Sequence, residues 1–253
     1  MVDLHCHILP GIDDGAKTTD ISLEMLRLQK EQGVKKIAFT PHIKLDETTY
    51  EDFLKSREGS RKTLFSLPEY KEITDGLEIK TGAEVYFSLG ILNYDLEPLC
   101  YEGTDYILIE LPVKAKPYGL AEGLSNIINM GYTPVIAHVE RYPYFADNPV
   151  LLYDLVMDGC IAHINAETVI KNNAASKMAM KYIKWGLVHF ICSDCHSTKH
   201  RVPNLMNAYT VLKKEFGGQY VDWLVKNSEN VFDNRYVDLN IVQKPKKFLG
   251  FWK

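Results

Sequence analysis

Four times along the chain an amphipathic stretch ends at a glycine and gives way to a short apolar run that closes on a polar residue. In the first copy Ile21, Met25 and Leu28 fall at i, i+4 and i+7, one face of a helix over Ile21 to Gln32. Gly33 suits the left-handed position just past a helix C-terminus, and Lys36 to Thr40 then reads as a strand ended by Pro41 and His42. The second copy predicts a helix from Tyr118 to Met130, a stop at Gly131 and a strand from Thr133 to Ala137 leading into His138. The third predicts a helix from Leu151 to Asp158, then Gly159 and a strand from Cys160 to Asn165. The fourth predicts a helix from Ala174 to Trp185, then Gly186 and a strand from Leu187 to Ser193 that runs into Asp194. Further strands fit Val2 to His5, Glu78 to Val85 and Asp105 to Leu111, and a charged helix fits Glu51 to Leu64 behind a loop from Ile43 to Tyr50.

Near-continuous apolar strands that alternate with helices predict a parallel sheet covered on both faces. About seven evenly spaced strands, with no Gly-x-Gly-x-x-Gly after the first, favour an α/β fold of the (β/α) barrel type over a dinucleotide-binding sheet. The 253 residues suit one domain, 1–253, with no linker inside it. A composition of 46% hydrophobic and 25% charged residues is ordinary for a globular chain. The net charge of −4 lacks the basic balance of a dedicated nucleic-acid binder, so no nucleic-acid partner is expected. No run is apolar enough for a transmembrane segment, and the start carries no signal-peptide pattern, so a cytoplasmic protein is expected. Five cysteines, Cys6, Cys100, Cys160, Cys192 and Cys195, then read as reduced thiols. The tail, about 244–253, is basic and aromatic. It reads as a segment packed on the barrel or left loose, with contact to anionic lipid or a partner as the other reading.

In a parallel barrel the C-terminal strand ends converge on one mouth. Those ends supply His5 and His7, His42, Glu84, Glu110, His138, and Asp194 with His196, while Asp13 and Asp14 lie just past the first strand. Taken singly, each has an ordinary structural reading. Together, so many imidazoles and carboxylates at one mouth would repel one another or lose hydration without cations. His5 and His7 stand at i and i+2, so both rings point to one side of a strand while Cys6 points into the core. Five histidines and four carboxylates, counting one of Asp13 and Asp14, exceed the ligand set of a single Zn²⁺ ion and suit two or three ions that share carboxylates. Mixed imidazole and carboxylate ligation fits Mn²⁺, Fe or Zn²⁺. Several divalent ions together suit phosphoester hydrolysis. Arg141 beyond His138 and Arg201 beyond His196 are the candidate catalytic and phosphate-binding residues, since a guanidinium forks onto phosphate oxygens.

These motifs resemble a known family. His5-Cys6-His7, Asp13-Asp14-Gly15, Thr40-Pro41-His42, Gly82-Ala83-Glu84, Ile109-Glu110, His138-Val139-Glu140-Arg141-Tyr142 and Ser193-Asp194-Cys195-His196 are similar to the polymerase-and-histidinol-phosphatase (PHP) family. Within it they most resemble the manganese-dependent bacterial protein-tyrosine phosphatases of capsule and exopolysaccharide operons, the CpsB/CapC-like group. The resemblance implies a distorted seven-stranded TIM-like barrel with three divalent ions, Mn²⁺ first among them. His5, His7, Glu84 and Asp194 would hold the first ion. Glu84 would bridge to a second held by Glu110 and His138, and Asp14, His42 and His196 would hold the third. Arg141 and Arg201 would bind the phosphate. The implied partner is a phosphotyrosine protein, with a membrane-associated bacterial tyrosine kinase as one candidate. The sequence departs from the family mainly between His42 and Leu64 and in the tail.

Other readings compete. Cys195 to Arg201 matches the Cys-x-x-x-x-x-Arg signature of cysteine-dependent tyrosine phosphatases, but it lacks the glycine that lets backbone N–H groups curl around phosphate. Histidinol-phosphate phosphatase would use a similar site, and a nuclease of the same family suits the acidic charge less well. A metal-stabilised binding module without turnover is the non-enzyme reading. His163, His189 and His200 read as structural or surface residues.

Overall fold

A computed structural model describes residues 1–171, 173–239, 241–248 and 250–252. The strands are β1 (Val2–Cys6), β2 (Lys36–Phe39), β3 (His42–Ile43), β4 (Glu78–Thr81), β5 (Glu84–Tyr86), β6 (Tyr106–Glu110), β7 (Thr133–Ile136), β8 (Ile161–Asn165) and β9 (Phe190–Cys192). All pair in parallel, in the orders β1-β2-β4 and β3-β5-β6-β7-β8-β9. The two sheets are one curled wall. β2 and β3 are two pieces of one crossing, broken at Thr40-Pro41, and β4 and β5 are two pieces of another. A parallel backbone β-bridge between Cys6 and Cys195 and the bond from the His7 N–H to the Cys195 carbonyl (2.9 Å) close the seam between β9 and β1. The result is a distorted (β/α)7 TIM-like barrel.

The break inside Glu78 to Val85 departs from the single strand predicted there. Pro41 has no N–H to give the ladder. The Gly82 N–H instead donates to the Phe39 carbonyl (2.8 Å) and the Glu84 N–H to the Pro41 carbonyl (2.9 Å), so the neighbouring crossing steps with it. A side chain on Gly82 would meet the Cys100 carbonyl at 3.2 Å, a tight approach that favours glycine at the step.

The main outer helices are α1 (Thr19–Glu31), α2 (Tyr50–Phe65), α3 (Pro68–Ile73), α4 (Leu120–Asn129), α5 (Pro143–Asp147), α6 (Val150–Met157), α7 (Ala166–Ile170), α8 (Ala174–Lys184), α9 (Leu205–Phe216) and α10 (Gly218–Phe232). Four match the predicted helices within two residues at each end, and α2 lies where the charged helix was expected. Thr49 caps α2 by accepting from the Asp52 N–H. Gly33 follows α1 at φ +80°, as a helix stop requires.

The core has two layers. Val2, Leu4, Ala38, Leu108, Val135, Ala137, Phe190 and Cys192 fill the barrel interior, and Val231 and Phe232 of α10 join them. Lys36 at the start of β2 pairs with Asp233 just past α10 (2.6 Å), which fixes that helix end at the barrel floor. The polar ends of the strands are thereby left for the opposite mouth.

The tail forms a hairpin of β10 (Lys247–Phe248) and β11 (Phe251–Trp252), packed on the body through Trp252. Leu249 and Lys253 of the predicted tail lie outside the described residues.

Candidate metal centre

Strand alternation alone would not build this site. Val2 and Leu4 belong to the barrel interior, so regular alternation would put Cys6 inside and His5 out. A register shift between Asp3 and Cys6 reverses the parity. Cys6 joins the outer layer with its thiol on the Ala38 carbonyl (3.2 Å), and His5 and His7 turn inward. Two further strand ends use left-handed backbone. His138 at φ +32° and Asp194 at φ +52° carry their side chains into the mouth from sparsely populated conformations, the kind of strain found at functional sites.

All nine predicted ligands meet at this mouth. His5 Nε2 lies 3.0 Å from Glu84 Oε2, 3.1 Å from His7 Nε2 and 3.5 Å from Asp194 Oδ1. The other oxygen of Glu84, Oε1, lies 2.9 Å from His138 Nε2, and Glu110 Oε1 stands 3.9 Å from the same nitrogen. Asp14 Oδ1 lies 3.4 Å from His42 Nε2 and 3.3 Å from His196 Nε2, with His7 alongside. Glu84 therefore faces two neighbouring ligand clusters, one through each oxygen. His42 Nδ1, 2.9 Å from Glu84 Oε2, joins the third cluster to the first two.

The rings are aimed from behind. His7 Nδ1 bonds Asp13 Oδ2 (2.7 Å), His5 Nδ1 bonds His163 Nε2 (3.1 Å), His138 Nδ1 meets the Tyr142 hydroxyl (3.2 Å), and His196 Nδ1 donates to the Asp194 carbonyl (3.0 Å). Each contact occupies Nδ1 and leaves Nε2 turned inward, the arrangement that fixes the tautomer of a metal-ligating histidine. The fit to cations shows in how these atoms meet: Glu84 Oε2, Asp194 Oδ1, His42 Nδ1 and His196 Nε2 are buried within ion-pair distance of one another's clusters, yet none makes a well-formed hydrogen bond. Neutral water does not account for so dense a set of acceptors, whereas divalent ions do.

The charges agree. Burial opposes ionisation of Glu84, but His5, His42 and His138 hold its carboxyl well below the usual range. Burial and the neighbouring Glu84 push Glu110 up. Burial also works against Asp194, yet His5, Arg201 and His138 hold it ionised far below the usual range. Asp13 outweighs burial to lift His7 to about 9.

Arg201 and Arg141 both reach Asp194 Oδ2, the first in a close ion pair and the second at 3.6 Å, while the Asn165 amide donates to the same oxygen (2.6 Å). Arg201 sits at φ +52°, where its carbonyl accepts from the His196 N–H (2.9 Å) and closes the loop between them. Arg141 ends a short 3-10 turn, Val139–Arg141. Cys195 is fully buried with its thiol beside Gln29 and Cys6, whereas the Arg201 guanidinium is turned onto Asp194. The matching spacing is therefore coincidental.

Sequence reasoning missed the supports. His163, read as structural or surface, is buried with its ring nitrogen on His5, and burial with the neighbouring His5 and His138 holds its pKa well below the ordinary value. Its place two residues beyond Ile161, on the same strand face, was the available signal. Asp13, Asn165 and Tyr142 were likewise not assigned. Glu140 ties the Arg141 turn to β8 by accepting from the Asn165 N–H (3.0 Å) and the Thr168 hydroxyl (2.9 Å). His189 is buried and accepts the Ala162 N–H (3.0 Å), and His200 is exposed, as expected of structural and surface residues.

The chain matches the family profile of capsular polysaccharide synthesis, CpsB/CapC, over residues 1–233. It is 32% identical to the tyrosine-protein phosphatase YwqE of Bacillus subtilis, over all of both chains. It is 32% identical to the tyrosine-protein phosphatase CpsB of Streptococcus pneumoniae, over 87% of this chain and 92% of that one. It superposes with a TM-score of 0.85 and 32% identity on a crystal structure from work on YwqE and CpsB, described there as unique metal-dependent tyrosine phosphatases. That match covers 98% of this chain and 100% of the other.

Proposed function

From its membership of the CpsB/CapC family, we propose that this chain is a metal-dependent protein-tyrosine phosphatase that hydrolyses phosphotyrosine on proteins of capsule or exopolysaccharide synthesis. One observation carries the reading: His5, His7, His138 and His196 are each tied at Nδ1, and Nε2 of each is turned on a carboxylate of the mouth, Glu84 for the first three and Asp14 for His196. His5, His7, Glu84 and Asp194 would hold one divalent ion, Glu84, Glu110 and His138 a second, and Asp14, His42 and His196 a third. Mn²⁺ is the first candidate, with Fe and Zn²⁺ as alternatives. Such ions, when bound, lower the pKa of water and neutralise phosphoryl charge.

The chain's own residues do the rest. Arg141 and Arg201 fork onto the phosphate oxygens and stabilise the charge that develops in the transition state. Both already lean on Asp194 Oδ2, so they stand at the edge of the cluster with a carboxylate where a phosphate would compete for them. Asn165 keeps Asp194 in place while the arginines exchange partners. A phenol leaves with less protonation than an alkyl alcohol, so no dedicated general acid is required.

The finer readings are of one piece with this. Residues 1–253 act as one PHP-type domain with a short tail. Among the described residues no helix is long and apolar enough to cross a membrane. The five cysteines are free and buried, which supports a cytoplasmic enzyme. The substrate is a phosphotyrosine protein, with a membrane-associated tyrosine kinase as the leading candidate. Turnover of phosphotyrosine peptide, histidinol phosphate and single-stranded DNA, measured side by side with Mn²⁺ present, tests the reading. Preference for the peptide supports it, and preference for either other substrate overturns it.

A further inference from the structure

The phosphatase site uses nothing from the C-terminal hairpin. In that hairpin Lys247 pairs with Trp252 and Phe248 with Phe251. Directly opposed residues of an antiparallel pair project to one face, and the next pair projects to the other. The Trp252 face is held down on the barrel. Its indole N–H donates to the Asp147 carbonyl (3.1 Å), its own carbonyl accepts from the Lys181 ammonium (2.9 Å), and the Lys247 ammonium lies 5.2 Å from its ring centre. Anchoring that face fixes the other one outward. Phe248 and Phe251 stand there 56% and 72% exposed, two adjacent phenyl rings on the outside of the molecule.

Basic residues lie on the segments that adjoin the hairpin. Lys177, Lys181 and Lys184 fall at i, i+4 and i+7 on α8, one face of that helix. Lys244 and Lys246 come from the chain leading into the hairpin, and the bond from Lys181 to Trp252 joins the two sets. Of the five, Lys184 pairs with Glu215 at 3.5 Å, and the Lys244 ammonium lies 5.3 Å from the Tyr153 ring centre. The collar contains lysine and no arginine, which suits a diffuse sheet of negative charge better than forked recognition of one fixed phosphate.

We propose that this end of the molecule docks on an anionic phospholipid bilayer. Phe248 and Phe251 enter the boundary between headgroups and acyl chains, and the lysine collar lies against the headgroup phosphates. An acidic protein or a nucleic acid would engage the same lysines, but it would leave the paired phenyl rings without a role. Docking would bring the phosphatase to the membrane without a spanning segment.

Sedimentation of the full-length protein with vesicles of phosphatidylcholine, alone or mixed with phosphatidylglycerol, tests this. Binding is expected to the anionic vesicles only and to weaken as salt is raised. Two variants separate the contributions: Phe248→Ser with Phe251→Ser, and Lys177→Gln with Lys246→Gln. Each should lower the partition constant, the lysine variant by roughly thirtyfold and the phenylalanine variant by at least about tenfold. Both should keep the wild-type unfolding temperature, since the altered side chains are exposed. Absence of binding to anionic vesicles overturns the proposal. So does binding that the lysine variant loses and the phenylalanine variant keeps in full, because that pattern marks a soluble polyanion as the partner. None of these readouts depends on phosphatase activity.

Discussion

His5 Nε2 and His7 Nε2 face each other at 3.1 Å, with Nδ1 of each ring held from behind by His163 and Asp13. With a hydrogen on each Nδ1 and none on Nε2, the state in which an imidazole binds metal, the two rings would present two lone pairs to one point. A shared cation turns that repulsion into attraction. Chelation should therefore lower the unfolding temperature. A ligand present at a hundred times its dissociation constant contributes about 2.7 kcal/mol, roughly 5–10 °C for a chain of this size. His7→Ala should show a much smaller shift and lose at least ~100-fold in phosphotyrosine hydrolysis. Calorimetry with and without chelator checks the first point, and an unfolding temperature indifferent to chelator would sink it.

Asp13 is a positioning residue. Its Oδ2 takes His7 Nδ1 and the His42 N–H (3.1 Å) and its Oδ1 takes the Gly15 N–H (2.9 Å), so both oxygens are in use. Asn has one such oxygen and must give up at least one of the three contacts. Asp13→Asn should reduce metal affinity or activity by about 10- to 100-fold with little change in the substrate KM. Raising the Mn²⁺ concentration should restore part of the rate. An unchanged metal titration would show that the carboxylate does not set the ring.

Cys195 is buried with its thiol beside Gln29 and Cys6 and cannot serve as nucleophile where it stands. Cys195→Ser should keep phosphatase activity within about twofold while costing roughly 1–2 kcal/mol of stability, because a hydroxyl replaces a buried thiol. Asp194→Ala should lose on the order of a thousandfold, since its oxygens join the arginines to the ligand cluster. The reverse order of effects, in a steady-state assay, would restore the cysteine mechanism.

His189 should give the stability a pH dependence separate from the metal centre. Burial lowers its pKa to about 4, and its Nδ1 accepts the Ala162 N–H. The unfolded chain takes up this proton first, near pH 6.5. The group therefore costs nothing above that pH, and it removes stability as pH falls from about 6.5 towards 4, by roughly 3 kcal/mol at the end. His189→Asn keeps an acceptor for Ala162 and should flatten the slope in that window. Urea midpoints across the window decide it, and parallel curves for the two proteins would contradict it.

Much of this was legible in the sequence for a physical reason. Helix stops such as Gly33 and apolar strands such as Tyr106–Glu110 are local signals, and the parallel barrel gathers strand ends at one mouth whatever the details. The ligands stood out because carboxylates and imidazoles are rare at the ends of apolar strands. What stayed hidden depends on contacts between crossings. The step at Gly82-Ala83 is set by Phe39 and Pro41, some forty residues earlier. The parity shift that turns His5 inward has no signature in Val2-Asp3-Leu4-His5-Cys6, because Asp3 finds partners in Gln29 and Ser193 that only the fold supplies. His163 was hidden because a histidine inside an apolar strand looks the same whether it supports a ligand or fills a core.

The central claim is that the three ligand clusters around Glu84 hold divalent ions. Anomalous diffraction from crystals grown with Mn²⁺, recorded on both sides of its absorption edge, tests this most directly. The account predicts three peaks: one among His5, His7 and Asp194, one between Glu110 and His138, and one among Asp14, His42 and His196, with Glu84 shared by the first two. Absence of peaks at this mouth in an active crystal, or peaks confined to other parts of the surface, would contradict it.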